Sequence, residues 1–194
     1  MALGGTIRGT KTALRLPVDA DLDGYNRWMS DLRVRRAHRV WHEPAMPATW
    51  KERLREAAKE KRAVVWSIEA EGRLIGLAAG DLWSMGNGFS LGQLVIDPDE
   101  WRKGYGFDEA LALHRYLFDY LDLRRTVVEL RLDNVAAQRI ADRLGYAAYA
   151  HGYEVHYREG GYVDEAQLLM ENETWHERWT GEREYPPLPA DARA

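Results

Sequence analysis

The spacing of hydrophobic positions changes several times along the chain, and each change marks a predicted element. Leu91, Leu94, Val95 and Ile96 form a short apolar run that Asp97-Pro98-Asp99 stops, which predicts a buried strand. Phe107, Ala110, Leu111, His114, Leu117, Phe118 and Leu121 then recur at helical spacing, so a long amphipathic helix follows. Upstream, Val64, Trp66 and Ile68 alternate with Val65, Ser67 and Glu69, and Glu71-Gly72 turns this strand into another over Leu74 to Trp83. Met85 to Gly88 turns again into Phe89 to Asp97, so three antiparallel strands lead into the helix. Gly92, inside the third strand, predicts a bulge or a close backbone approach.

At the front, Thr12 to Leu16 predicts a strand ended by Pro17, and the acidic stretch Asp19 to Asp23 opens a helix with Leu22, Tyr25 and Met29 on one face. A basic segment, Arg33 to Arg39, runs into a loop from Val40 to Pro47 whose two prolines exclude regular structure. Thr49 and Glu52 form a capping box for a second helix with Trp50, Leu54, Ala57 and Ala58 as its apolar stripe. Behind the long helix, Arg125 to Leu132 reads as a strand, Asp133-Asn134 as its stop and the next helix cap, and Ala137, Ile140, Ala141 and Leu144 as one helical face ending at Gly145. Tyr146 to Tyr157 and Tyr162 to Met170 form a closing hairpin. Residues 1–11 are expected to be a flexible start, 12–172 the folded domain, and 173–194, with two tryptophans and a Pro-rich end, a mobile tail.

Composition narrows the class. With 194 residues, 45% of them hydrophobic, the chain can bury one substantial core. A net charge of −4 with scattered Lys and Arg gives no basic patch for DNA, and no apolar run is long enough to span a membrane, so a cytoplasmic protein is expected. The absence of cysteine excludes disulfides and an acyl-cysteine relay. His38 and His42 stand four apart but lack a third ligand at a diagnostic spacing, so no metal site is expected.

The junction between the third strand and the long helix carries the chemistry. Trp101-Arg102-Lys103-Gly104-Tyr105-Gly106 places two glycines at a helix start, where backbone N–H groups can converge on an anion at the positive end of the helix dipole, with Arg102 and Lys103 adding charge. The turn is neither a nucleotide P-loop nor a complete dinucleotide fingerprint.

Strand, DPDEWRKGYG, helix and then LRLDNVAAQRIADRLGY resembles the GNAT superfamily of acyl-CoA-dependent N-acyltransferases, in particular the branch with ribosomal-protein N-terminal and spermidine acetyltransferases. The resemblance covers roughly residues 12 to 172. It implies an α/β fold, a mixed and mostly antiparallel sheet with helices on both faces, and acetyl-CoA or another acyl-CoA as co-substrate. It further implies that the pyrophosphate lies on Arg102, Lys103, Gly104, Tyr105, Gly106 and Phe107. The pantetheine arm would pair with the backbone of Leu94, Val95 and Ile96 on a strand splayed from its neighbour, and the Asn134 amide would bond it as well.

Three signature positions differ: Trp101 stands for Gln or Arg, Ala141 for the usual acid tyrosine, and Ala137 for a branch-specific serine. In relatives the loop that here carries Trp41, His42 and Glu43 borders the acceptor. The implied reaction is direct acyl transfer to a primary amine of a small metabolite or a protein N-terminus, and a homodimer stays open. Glu43, Asp81, Gln93 through a water, Glu129 and Tyr153 are the candidate bases, with Glu43 and Tyr153 singled out as catalytic; Tyr153 and Tyr146 are also candidate acids. The rival is a non-catalytic acyl-CoA-binding or partner-binding module on the same fold.

Overall fold

The computed structural model describes residues 6–38, 47–60, 63–83 and 87–179. Its strands are β1 (Ile7–Arg8), β2 (Ala13–Arg15), β3 (Ala63–Ala70), β4 (Arg73–Leu82), β5 (Gly88–Ile96), β6 (Arg125–Arg131), β7 (Ala147–Arg158) and β8 (Gly161–Glu171). The helices are α1 (Leu22–Ser30), α2 (Leu32–Ala37), α3 (Pro47–Glu60), α4 (Tyr105–Arg115), α5 (Val135–Leu144) and α6 (Asn172–Trp179). The strands form one sheet in the order β1-β2-β3-β4-β5-β6-β8-β7, antiparallel except where β5 runs parallel to β6.

Period-two alternation assigns neighbouring residues to opposite faces. Leu77 and Val95 pack with Tyr25, Trp28, Met29 and Trp50 of α1 and α3, whereas the adjacent Ala78 and Leu94 pack with Tyr105, Ala112 and Leu113 of α4. On that second face α5 covers β6 and β8 through Ala141, Leu130, Ala166 and Leu168. Because β5 and β6 are parallel and each feeds a helix, α4 and α5 begin at the same end of the sheet and run back beneath it side by side.

The ends of the chain depart from expectation. Residues 6–11 are not a loose start: β1 pairs with β2, and the Asp108 carboxylate accepts hydrogen bonds from the backbone N–H groups of Thr10, Lys11 and Thr12 and from both threonine hydroxyls. Asn172–Trp179 is helix rather than tail. Trp175 is buried, stacks on Phe118 and donates its indole N–H to Asp119, and Trp179 bonds the Leu144 carbonyl. The basic segment after Ser30 forms α2, capped by Asp31 accepting from the Arg33 N–H. Finally, α3 starts at Pro47, a residue suited to a first helical turn, where the capping box had suggested Thr49.

Candidate active site

The site arises where β5 and β6 part. They pair from Gly88 with Arg125 to Leu91 with Val128, and no further. On the β4 side the register slips between Ala79 and Gly80, so that Gln93 and Leu91 face consecutive partners and Gly92 is the extra, bulged residue. The bulge increases local twist and swings the end of β5 away from β6. The Asp97 N–H bonds Ile75 on β4, so ladder alternation turns the N–H and C=O of Leu94 and Ile96 toward the gap and those of Val95 toward β4. The Ile96 carbonyl is taken by the indole N–H of Trp101 at 2.8 Å. Leu94 therefore offers the backbone donor and acceptor that face the opening.

A cavity of about 550 Å3 fills the splay and extends between α4 and α5. Its mouth is the glycine turn. Arg102 and Gly104 both have positive φ, 64° and 86°, so the backbone turns sharply just before the start of α4, whose first N–H groups have no partner within the helix. A Cβ on Gly104 would lie 3.3 Å from Lys11 Nζ, and one on Gly106 would lie 3.3 Å from Ile140 Cδ1, in the seam between the two helices. Only Gly104 needs the left-handed region; Gly106 is needed for close approach.

Charge at the mouth differs from the sequence expectation. The Lys103 ammonium is 2.6 Å from the Glu100 carboxylate, which raises the lysine and, together with Arg73, lowers the glutamate. The cations left at the mouth are Arg102 and Arg139, both lining the cavity, with Lys11 reaching the Lys103 carbonyl from the N-terminal segment. Arg139 and Lys11 escaped the sequence reading because one lies on a helix face that looks merely solvated and the other is far away in the chain. Asp108 and Glu109, whose charge would oppose a phosphate, turn aside. Asp108 is held by residues 10–12, and Glu109 is fully buried in the core.

Asn134 caps α5 by accepting from the Ala137 N–H at 3.1 Å, and its amide nitrogen donates to the Ala37 carbonyl at the end of α2. Arg131, 3% exposed, donates to the carbonyls of Arg36 and His38 and pairs with Asp133. The start of α5 and the end of α2 are thereby joined across the cavity.

Two polar groups sit on the α1/α2 side of the splay. Gln93 shares the face of Val95, and Glu129 shares the face of Arg131, so both line the cavity opposite α4 and α5. Gln93 Oε1 is buried with no hydrogen-bond partner, and Glu129 Oε1 accepts from Gln167. On the other side the cavity reaches His114 and Tyr146. His114 Nδ1 faces the Ala110 carbonyl at 2.6 Å, so it carries the proton, and Nε2 meets Tyr146 Oη at 2.7 Å. Burial pushes the imidazole down to about 4 and raises the phenol.

The cavity thus brings together Leu94, Val95, Ile96, Arg102, Gly104, Tyr105, Gly106, Phe107 and Asn134, with Ala137 and Ala141 on the α5 wall. It does not include Tyr153, which is 79% exposed on β7 against His151, so this residue is not brought to the cleft. Glu43, with Trp41 and His42, lies outside the described residues. Among the described residues no cluster of His, Asp or Glu could hold a metal ion, and no helix is long and apolar enough to cross a membrane. The residues fit a coenzyme A arm: an unpaired backbone edge for an amide-bearing chain, a turn into which a side chain would intrude, and apolar walls.

Comparison with known proteins bears on the fold and the family. No curated protein matches the chain. Among solved structures it is similar to spermidine N-acetyltransferase from Vibrio cholerae in complex with CoA and spermine, at 18% identity and a TM-score of 0.77 over 86% of this chain and 98% of that one. It is also similar to RimL, a ribosomal L7/L12 alpha-N-protein acetyltransferase in complex with coenzyme A, at 15% identity and a TM-score of 0.76 over 86% of this chain and 98% of that one. A GNAT-family acetyltransferase from Bacillus anthracis is 16% identical with a TM-score of 0.74, over 87% of this chain and 99% of that one. These likenesses are of fold. The family described as an acetyltransferase (GNAT) domain matches residues 11–147, from the segment bound by Asp108 to the strand after α5, and the chain belongs to that family of acetyl-CoA-dependent acetyltransferases.

Proposed function

We propose that the protein acetylates a primary amine, carried by a small molecule or a protein N-terminus, which enters from the α1/α2 side while acetyl-CoA occupies the α4/α5 side. The observation that carries this reading is the pairing of an orphaned acceptor, Gln93 Oε1, with the Glu129 carboxylate on one face of the splay. Both groups accept hydrogen bonds and neither repels a cation, so an ammonium suits them. Arg102, Arg139 and the N–H groups of the turn hold the pyrophosphate, and the free backbone of Leu94 aligns the pantetheine arm.

Bound acetyl-CoA supplies a thioester whose carbon bonds to the amine nitrogen as the C–S bond breaks, the electron pair leaving on sulfur. Amines near pKa 10 are protonated at neutral pH, so a proton must first be removed, and Glu129, directly or through one water, takes it at a carboxylate oxygen. The Leu94 N–H donates to the thioester oxygen, where negative charge grows. A thiol near the cysteine reference of about 8.5 is acidic enough to depart without a strong acid, which accords with alanine at 141 and 137.

Glu129→Gln tests the reading. Thiol release with an amine should fall roughly 100-fold or more while acetyl-CoA affinity by calorimetry stays within about twofold. Wild-type rates in the variant would exclude Glu129 as the base. Absence of thiol release from the wild type across an amine panel that includes polyamines and N-terminal peptides, with cofactor affinity intact, would favour a binding module.

A further inference from the structure

The N-terminal segment is fastened to α4 by one side chain. Asp108, 7% exposed, accepts at 2.9 Å from the N–H groups of Thr10 and Lys11, at 2.8 Å from that of Thr12, and from both threonine hydroxyls. A Cβ at Gly9 would overlap the same carboxylate, so the segment comes this close only with glycine there. Three successive N–H groups converging on one carboxylate fix the backbone of residues 10–12, and Thr12 is itself buried.

What this clamp delivers is Lys11. Its side chain is exposed, and the ammonium reaches the glycine turn, 3.2 Å from the Lys103 carbonyl and 3.3 Å from where a Cβ on Gly104 would stand. No carboxylate among the described residues pairs with it, whereas Lys103, inside the turn, is neutralised by Glu100. Asp108 and Gly106 are two residues apart on α4 and so lie on nearly opposite sides of the helix. Gly106 faces Ile140 of α5, so the N-terminal segment flanks the turn on the side away from α5. Lys11 and Arg139 therefore stand on either flank of the α4 N-terminus, and an anion there meets unpartnered N–H groups end-on with a cation at each side. With the pantetheine arm in the splay and the α4/α5 seam, the Lys11 flank is left for the nucleotide end of the coenzyme.

We propose that Lys11 binds a phosphate at the nucleotide end of coenzyme A, and that Asp108 is a positioning residue that carries this cation to the turn. The inference rests on the acetyl-CoA reading above. The phosphate is either the pyrophosphate or the 3′-phosphate of the ribose, and the choice of ligand separates the two.

Calorimetry on the full chain with CoA and with 3′-dephospho-CoA, each at low and high salt, tests it. Lys11→Met should weaken CoA binding about fivefold at low salt and flatten its salt dependence, and Lys11→Arg should keep most of the affinity. A loss confined to CoA assigns Lys11 to the 3′-phosphate, and an equal loss with both ligands assigns it to the pyrophosphate. Asp108→Asn separates positioning from plain charge. Removing a negative charge near the turn would by itself tighten the binding of a polyanion, whereas loosening the clamp should weaken it about as far as Lys11→Met does, and the two losses should not add in the double variant. Wild-type CoA affinity and salt dependence in a folded Lys11→Met variant overturn the assignment and leave the cofactor reading standing. Tighter or unchanged binding by a folded Asp108→Asn variant overturns the positioning role. Failure of the wild type to bind CoA overturns both readings.

Discussion

Asp108 and Glu109 are neighbours in the chain with opposite electrostatic environments. Burial raises Asp108, but hydrogen bonds from Thr10 and Thr12 and from backbone N–H groups more than offset this and hold it below the usual carboxylate range. Glu109 is buried with neither carboxyl oxygen partnered, and burial, aided by the charge on Asp108, pushes it up to about 8.

The sign of the resulting pH dependence follows. Unfolded Glu109 ionises at an ordinary carboxylate pKa, so between there and about 8 the folded state holds a proton that the unfolded state has lost, and stability falls as pH rises through this window. Glu109→Gln should raise Tm, with a larger gain at pH 8 than at pH 6. Thermal denaturation at the two values checks this, and an equal gain at both would mean that Glu109 is ionised in the fold.

Gly106→Val should weaken acetyl-CoA binding at least tenfold, about 1.4 kcal/mol, because its side chain would stand at the cavity mouth between Ile96 and Ile140. Calorimetry on a variant with a native circular dichroism spectrum is the measurement. Unchanged affinity would remove the glycine turn from the binding site.

Asn134→Ala should lose both the α5 cap and the tie to Ala37, about 1–2 kcal/mol together. For a chain of this size that is a Tm drop of roughly 3–6 °C, with acetyl-CoA affinity reduced as well. Asn134→Asp keeps the cap but loses the amide donor and sets a carboxylate oxygen against the Ala37 carbonyl, so it should recover at most the capping part of the stability and none of the affinity. Recovery of both would leave the amide no role beyond capping.

Arg139→Ala should lower acetyl-CoA affinity and flatten its dependence on salt, since Arg139 is a cation at the mouth whose contribution is screened in proportion to ionic strength. Lys103→Ala should do less, because that ammonium is already paired with Glu100. Titrations at two salt concentrations distinguish them, and a larger effect from Lys103 would mean that the ligand displaces Glu100.

The parts of this fold legible in the sequence are those set by neighbours in the chain. The bulge at Gly92, the cap at Asn134 and the end of α5 at Gly145 each depend on a few consecutive residues, and each is found at its expected place; the stripe read for α4 is the side that packs on α5 and α6, while Tyr105, Ala112 and Leu113 on its other side meet the sheet. What escaped depends on distant partners. The α2 helix has six residues, too short to persist alone, and its last carbonyls are held by Arg131 almost a hundred positions away. The α6 helix buries Trp175 and packs the half-buried Trp179 against residues of α4, its π-helical extension at Tyr116–Tyr120, and α5. Tyr153 was placed near the chemistry because alternation alone cannot tell a strand lining a cleft from the outermost strand of a sheet, which is where β7 lies.

Arg131 and Asn134 stand three residues apart at the end of one strand, yet between them they hold the end of α2 on one side of the cleft and the start of α5 on the other. A ligand that shifts Asn134 is expected to bear on α2 through the bond to the Ala37 carbonyl. By thermodynamic reciprocity, whatever factor the thioester contributes to the affinity for amine, the amine returns to the thioester. On the proposed reading, the expected kinetic signature is a sequential mechanism in which the two dissociation constants vary together, with this short piece of backbone as the link.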